Sequence, residues 1–134
     1  MFIPSPRTPV LAAAAVAAFF VSGCGFGNGS EGISVPASDA TAYRGAVIFA
    51  ERCSGCHTIA AAGAQGSKPA DEINPKDRTN GPNFDQRKET YQDAITAIRQ
   101  GGFSGAIMPG NIATGQDAED VATFLSEYSG KNPD

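Results

Sequence analysis

Three stretches of the chain place apolar residues at helical spacing. Ala42, Ala46, Phe49 and Cys53 recur at intervals of four, three and four, so they share one face. Ser38 or Asp39 can cap that helix, which the pattern places over Asp39 to Arg52. Gly45 sits inside it, where glycine costs about 0.5–1 kcal/mol relative to alanine. A close approach by another backbone would explain it. Tyr91, Ala94, Ile95 and Ile98 mark a second helix over Thr90 to Gln100. Thr90 with Asp93 forms a capping-box pattern at its start, and Gly101 provides the stop. The stripe Val121, Phe124, Leu125 and Tyr128 marks a third over Thr114 to Tyr128, with Thr114 as the cap and Gly130 after it. Strand signals are weak throughout. The expected fold is all-α, with three to four helices and long loops.

A fourth apolar stretch has no helical face. Val10 to Val21 is apolar almost all round, follows Arg7 and is shorter than the roughly 20 residues a membrane span needs. It has the form of a signal-peptide core. It ends in Val21-Ser22-Gly23-Cys24, which resembles the lipobox of bacterial lipoproteins. That resemblance implies cleavage before Cys24 and a lipid on its sulfur. The alternative is a secretory peptide cut elsewhere, with Cys24 incidental. Gly25 to Ser38 is rich in glycine and serine and reads as a flexible tether. The expected organisation is a leader over 1–23, a lipidated tether over 24–38, a folded domain over 39–130 and a short tail over 131–134. Between the first two helices, Ala60 to Asn80 carries glycines, prolines and scattered charge, and reads as a long loop.

Charge and cysteine usage narrow the function. The chain has 10 Lys+Arg against 14 Asp+Glu. Loss of the leader removes Arg7 and no acid, leaving a formal charge of −5. Nucleic-acid binding wants a basic face and is not expected. An acidic protein is steered toward partners with a basic docking patch. About ninety residues bury a modest core, so three helices and a long loop would gain much from a large apolar cofactor at their centre.

Cys53-Ser54-Gly55-Cys56-His57 supplies the means to hold one. C-x-x-C-H reads as a c-type haem attachment site. Two thiols at this spacing reach the two vinyl groups of one haem, and the next imidazole falls beneath the iron. His57 is the only histidine in the chain. With Cys24 assigned to lipid, no thiol is left over. After loss of the leader the one methionine is Met108, in the glycine-rich loop Gly101 to Gly110. Pro109 biases it toward an extended conformation. A His/Met pair is a standard axial set for cytochromes c, which makes Met108 the candidate distal ligand. A thioredoxin-like C-x-x-C needs a βαβ setting not visible here. A zinc site would find only Cys53, Cys56 and His57 nearby.

With these motifs the chain resembles the class I c-type cytochromes over about Asp39 to Tyr128. Cys53 to His57 matches the haem motif of that family, and Met108-Pro109 matches the distal motif. Gly81-Pro82-Asn83-Phe84 resembles the family's Gly-Pro turn. That resemblance implies that the Pro82 carbonyl accepts a hydrogen bond from the proximal imidazole. Gly45 and Phe49 match the glycine–aromatic pair by which the family's first helix crosses its last, and Val121 with Phe124 matches the apolar–aromatic pair opposite. Ala60 to Asn80 departs from the pattern; it is expected to wrap one edge of the haem.

The resemblance implies a cytochrome c fold around one covalent haem c. It also implies single-electron transfer between Fe(II) and Fe(III), with redox proteins as donor and acceptor. The leader adds an expected lipid anchor on the outer face of the bacterial membrane, in respiratory or related electron transport. Ala60 to Ala62 and Ile107 are the expected apolar docking rim. The alternative is a haem protein reactive toward gases or peroxide, or the haem subunit of a larger oxidoreductase.

Overall fold

The computed structural model describes residues 32–72, 80–102 and 107–131. The leader, Cys24 and residues 132–134 lie outside that set, as do parts of the two long loops. Within it, three α-helices carry the architecture: α1 Ala40–Arg52, α2 Tyr91–Gln100 and α3 Gly115–Tyr128. A minimal antiparallel ladder joins β1 Thr58–Ile59 to β2 Ala64–Gln65, with Thr58 opposite Gln65. Single 3₁₀ turns occupy Ala60–Ala62 and Ala70–Glu72. Among the described residues, no helix is long and apolar enough to cross a membrane.

The helix ends follow the local chemistry. Asp39 caps α1 by accepting from the Ala42 N–H at 3.3 Å. Thr90 caps α2 by accepting from the Asp93 N–H at 3.1 Å, and its own hydroxyl donates to Asp93 Oδ2 at 2.7 Å. Gly101 ends α2 at φ +89°, a conformation that favours glycine. Thr114 stands at the cap position of α3 but makes no capping side-chain bond.

α1 and α3 cross at close range, and α2 packs on α3. Gly45 is the reason the first crossing can be close. A Cβ there would run into the Asp120 carbonyl and come within 2.7 Å of the Phe124 Cβ. The crossing is built on Phe124 and the Asp120 backbone, with Val121 buried beside them. Phe49 meets Phe124 edge-on, with centroids 5.8 Å apart. Asp120 itself is fully buried. Arg44 reaches it from α1 with Nε at 2.7 Å and its terminal nitrogen in contact, and Gln116 donates to its other oxygen at 2.9 Å. The three-helix pattern read from the sequence holds, with one exception: Tyr91 is 40% exposed, whereas Ala94, Ile95 and Ile98 are buried.

Two expectations need correction. Residues 32–38 are part of the fold, not of a flexible tether. Val35 is buried, Ile33 packs against the core, and the Ser34 N–H donates to the Ala61 carbonyl at 3.0 Å. Two apolar side chains in a Gly/Ser-rich stretch are enough to pin it. The earlier part of the expected tether lies outside the described residues. Secondly, the segment after His57 is more ordered than a long loop. Ile59, Ala62 and Ala64 belong to the core.

Candidate functional site

The end of α1 positions the Cys53–His57 motif. The Cys53 N–H still donates to the Phe49 carbonyl at 2.8 Å, and the chain then turns back so that the His57 N–H reaches the Cys53 carbonyl at 3.1 Å. Two glycine backbones back the motif. The Gly66 N–H donates to the His57 carbonyl at 3.0 Å, and the Gly81 N–H to the Cys56 carbonyl at 2.8 Å. A Cβ on Gly66 would sit 2.7 Å from the Cys56 nitrogen, and one on Gly81 would collide with the His57 ring. Thr58 and Ser67 tie the flanks together by two reciprocal bonds of 2.9 Å.

His57 is buried and held from several sides. Its Nδ1 lies 3.1 Å from the Pro82 carbonyl oxygen. A carbonyl only accepts, so Nδ1 carries the proton and Nε2 keeps its lone pair. The Phe84 ring stacks on the imidazole with centroids 4.8 Å apart and planes 12° apart. Phe49 tilts against it at 6.1 Å. Burial lowers the His57 pKa, opposed by the Pro82 bond, with Arg87 adding a smaller push downward. The ring is thus kept neutral, the form in which imidazole binds metals.

Cys53, Cys56 and His57 line a cavity of about 600 Å³, within the range of about 300–1,000 Å³ usual for ligand pockets. Met108 and Pro109 line it too, as do Ile98, Ile112 and Leu125. Cys53 and Cys56 are both free thiols. Burial pushes the Cys53 thiol up to about 11, against a smaller downward pull from Arg52 and a further push from Cys56. The donor set and the apolar wall suit a covalently attached haem: two unpaired thiols, one neutral imidazole with a free Nε2, and one thioether.

The structure therefore brings Cys53, Cys56, His57, Pro82 and Met108 to one place. Of the expected docking rim, Ile107 lines the cavity and Ala60 to Ala62 do not. Ile107 is 58% exposed. Ala62 is buried in the core, and no described residue from 58 to 72 lines the cavity. The hydrogen bonds to Thr58 and the packing of Gly66 hold residues 58–67 against the motif; of the expected 60–80 wrap, Asn80 lines the cavity, and residues 73–79 lie outside the described residues. Cys24 lies outside the described residues.

Sequence reasoning missed several contributors. Gly66 and Gly81 carried only a turn signal, although both stand where any side chain would strike the motif. Phe84 was visible only as the neighbour of a Gly-Pro turn. Arg87 and Glu89, which also line the cavity, carried no signal in a polar stretch.

Fold and site together define a small all-α protein whose helices close round a C-x-x-C-H motif. The chain belongs to the cytochrome c family, whose model (Cytochrome c) matches residues 42–129. Among solved structures it is similar to the c-type cytochrome SorU from Sinorhizobium meliloti. The two share 34% identity at a TM-score of 0.52, over 69% of this chain and 94% of that one. No curated protein sequence matches. The fold is the cytochrome c fold of the class I type, the cofactor is a covalently bound haem c, and the protein is a haem-based electron carrier.

Proposed function

We propose that the chain is a single-electron carrier tethered to the outer face of a bacterial membrane, serving respiratory or related electron transport. In this reading Cys53 and Cys56 would hold the haem by thioether bonds, and His57 and Met108 would supply the protein ligands to its iron. When bound, the haem would supply a one-electron Fe(III)/Fe(II) couple. The protein's own residues do the rest. Pro82 fixes the tautomer and plane of His57, as partners of a ligating histidine do. Phe84 stacks on the ring and Phe49 tilts against it, which holds its orientation. Ile98, Ile112 and Leu125 exclude water, and a thioether ligand in a dry pocket favours the reduced state. Cys24 carries the lipid, and donor and acceptor are other redox proteins.

The observation that carries this reading is the placement of His57, its Nε2 free, and Met108 in the lining of one apolar cavity. The test is spectroscopic. The oxidised protein is expected to show the long-wavelength sulfur-to-iron charge-transfer band, and Met108→Ala to lose it and gain binding of carbon monoxide. A wild-type protein that lacks the band and binds carbon monoxide readily overturns the ligand assignment. The anchor has its own test: Cys24→Ala is expected to move the protein from the membrane to the soluble fraction.

A further inference from the structure

Glu89 is a buried carboxyl that the electron-carrier reading leaves without a task. It is 6% exposed and lines the same cavity as His57 and Met108. Its Oε1 lies 2.6 Å from Arg87 Nε, but the Arg87 side chain is 61% exposed, so water screens that partner. The Glu89 backbone N–H donates to the Ser129 hydroxyl at 2.8 Å, which fixes the segment against the end of α3. Asp93, in the first turn of α2, adds a second negative charge on the same wall. Arg52 of α1, His57 and the thiols of Cys53 and Cys56 complete the ionisable groups lining the cavity among the described residues. Lys88, next in the chain, turns away to the Ser126 carbonyl at 2.5 Å. Burial raises the Glu89 pKa above the ordinary carboxylate value; Arg87 pulls it back, and Asp93 raises it further.

We propose that Glu89 is a redox-linked proton site, taking a proton from water when the haem gains an electron and releasing it on oxidation. The inference rests on the electron-carrier reading. The balance is simple: one electron arrives from the donor protein, the cavity loses one unit of positive charge, and the Glu89 carboxylate accepts a proton to become the neutral acid. Charges that share a cavity interact strongly enough, at an effective dielectric near 20, to change an ionisation constant by about tenfold. The reduced state binds the proton more tightly. The midpoint potential therefore falls as pH rises between the reduced-state and oxidised-state ionisations, and is flat on either side. A tenfold difference in proton affinity corresponds to a total fall of about 59 mV for one electron.

The experiment is the midpoint potential of the haem-loaded protein against pH, for the wild type, Glu89→Gln and Arg87→Gln. The expected result is one sloping window in the wild type, lying above the ordinary carboxylate range. Glu89→Gln abolishes it, and Arg87→Gln moves it to higher pH. Infrared difference spectra between the two oxidation states are expected to contain a protonated-carboxyl band that Glu89→Gln removes. A flat wild-type curve overturns the proposal. So does a slope that persists in Glu89→Gln, which assigns the proton to another acid such as a haem propionate. If Glu89→Gln fails to retain haem, Arg87→Gln and the wild-type infrared band decide: an unmoved window or a missing band overturns it. A reversible couple with no pH response sinks this inference alone, whereas no reversible couple sinks the carrier reading with it.

Discussion

The α1–α3 crossing and the cavity are built from adjoining residues, yet they are completed in different ways. At the crossing, protein meets protein: Gly45 takes the Asp120 carbonyl and Phe124, and the Asp120 carboxylate is met by Arg44 and Gln116. In the cavity, the same helices present apolar walls to a space of about 600 Å³ that side chains leave open. Phe49 belongs to both, touching Phe124 on one side and His57 and Phe84 on the other. The crossing is a scaffold that the chain can finish alone, and the cavity is a surface that only the haem finishes. Damage to the first is expected to appear as lost stability, and damage to the second as altered spectra and potentials.

The sharpest way to break that division is at the shared residue. Phe49→Ala is expected to cost about 3–5 kcal/mol and also to disturb the haem spectrum, since it opens the crossing and releases one side of His57. Thermal unfolding followed by circular dichroism and by haem absorbance reads both effects. Gly45→Val should act on stability, by about 1–3 kcal/mol, because the helices must part to admit the side chain. If it left the midpoint of unfolding unchanged, the close crossing described here would be wrong. Val35→Ala is expected to cost about 1.5 kcal/mol, from roughly two methylenes' worth of lost burial, with no change in potential. A null effect would return residues 32–38 to the status of a tether.

The smallest expected effect concerns pH. A carboxyl whose pKa is raised by folding binds its proton more tightly in the native state. Glu89 therefore favours the fold at low pH, and that contribution is lost as pH rises through its native pKa. Glu89→Gln is expected to flatten the pH dependence of the unfolding midpoint over that window. A dependence of the same size in the variant would place the titrating group elsewhere.

These contrasts also explain what the sequence made legible. Helices are written in periodicity and caps, so α1, α2 and α3 could be placed with their ends, and Gly45 was conspicuous because glycine is costly there. The residues proposed to bind the haem were legible because the chemistry restricts both type and order: two thiols, one imidazole, one thioether. The surroundings of His57 were not. Gly66 and Gly81 matter for the volume they do not fill, and that depends on which backbones meet. Glu89 and Asp120 look like surface acids in one dimension, and only tertiary packing buries them. The arm over 32–38 was misread for the opposite reason. Its composition is that of a linker, and two apolar residues outweighed it.

That arm has a practical consequence. Gly32 lies against Gly63, and no described residue from 32 to 48 contributes to the cavity wall. Whatever the upstream chain bears, be it an acyl group, an affinity tag or a fluorophore, is attached at a strip separate from the cavity lining. Immobilising the protein through its amino-terminal end is therefore expected to leave electron exchange at the haem unobstructed, a useful property for an electrode and an equally useful one for a cell surface.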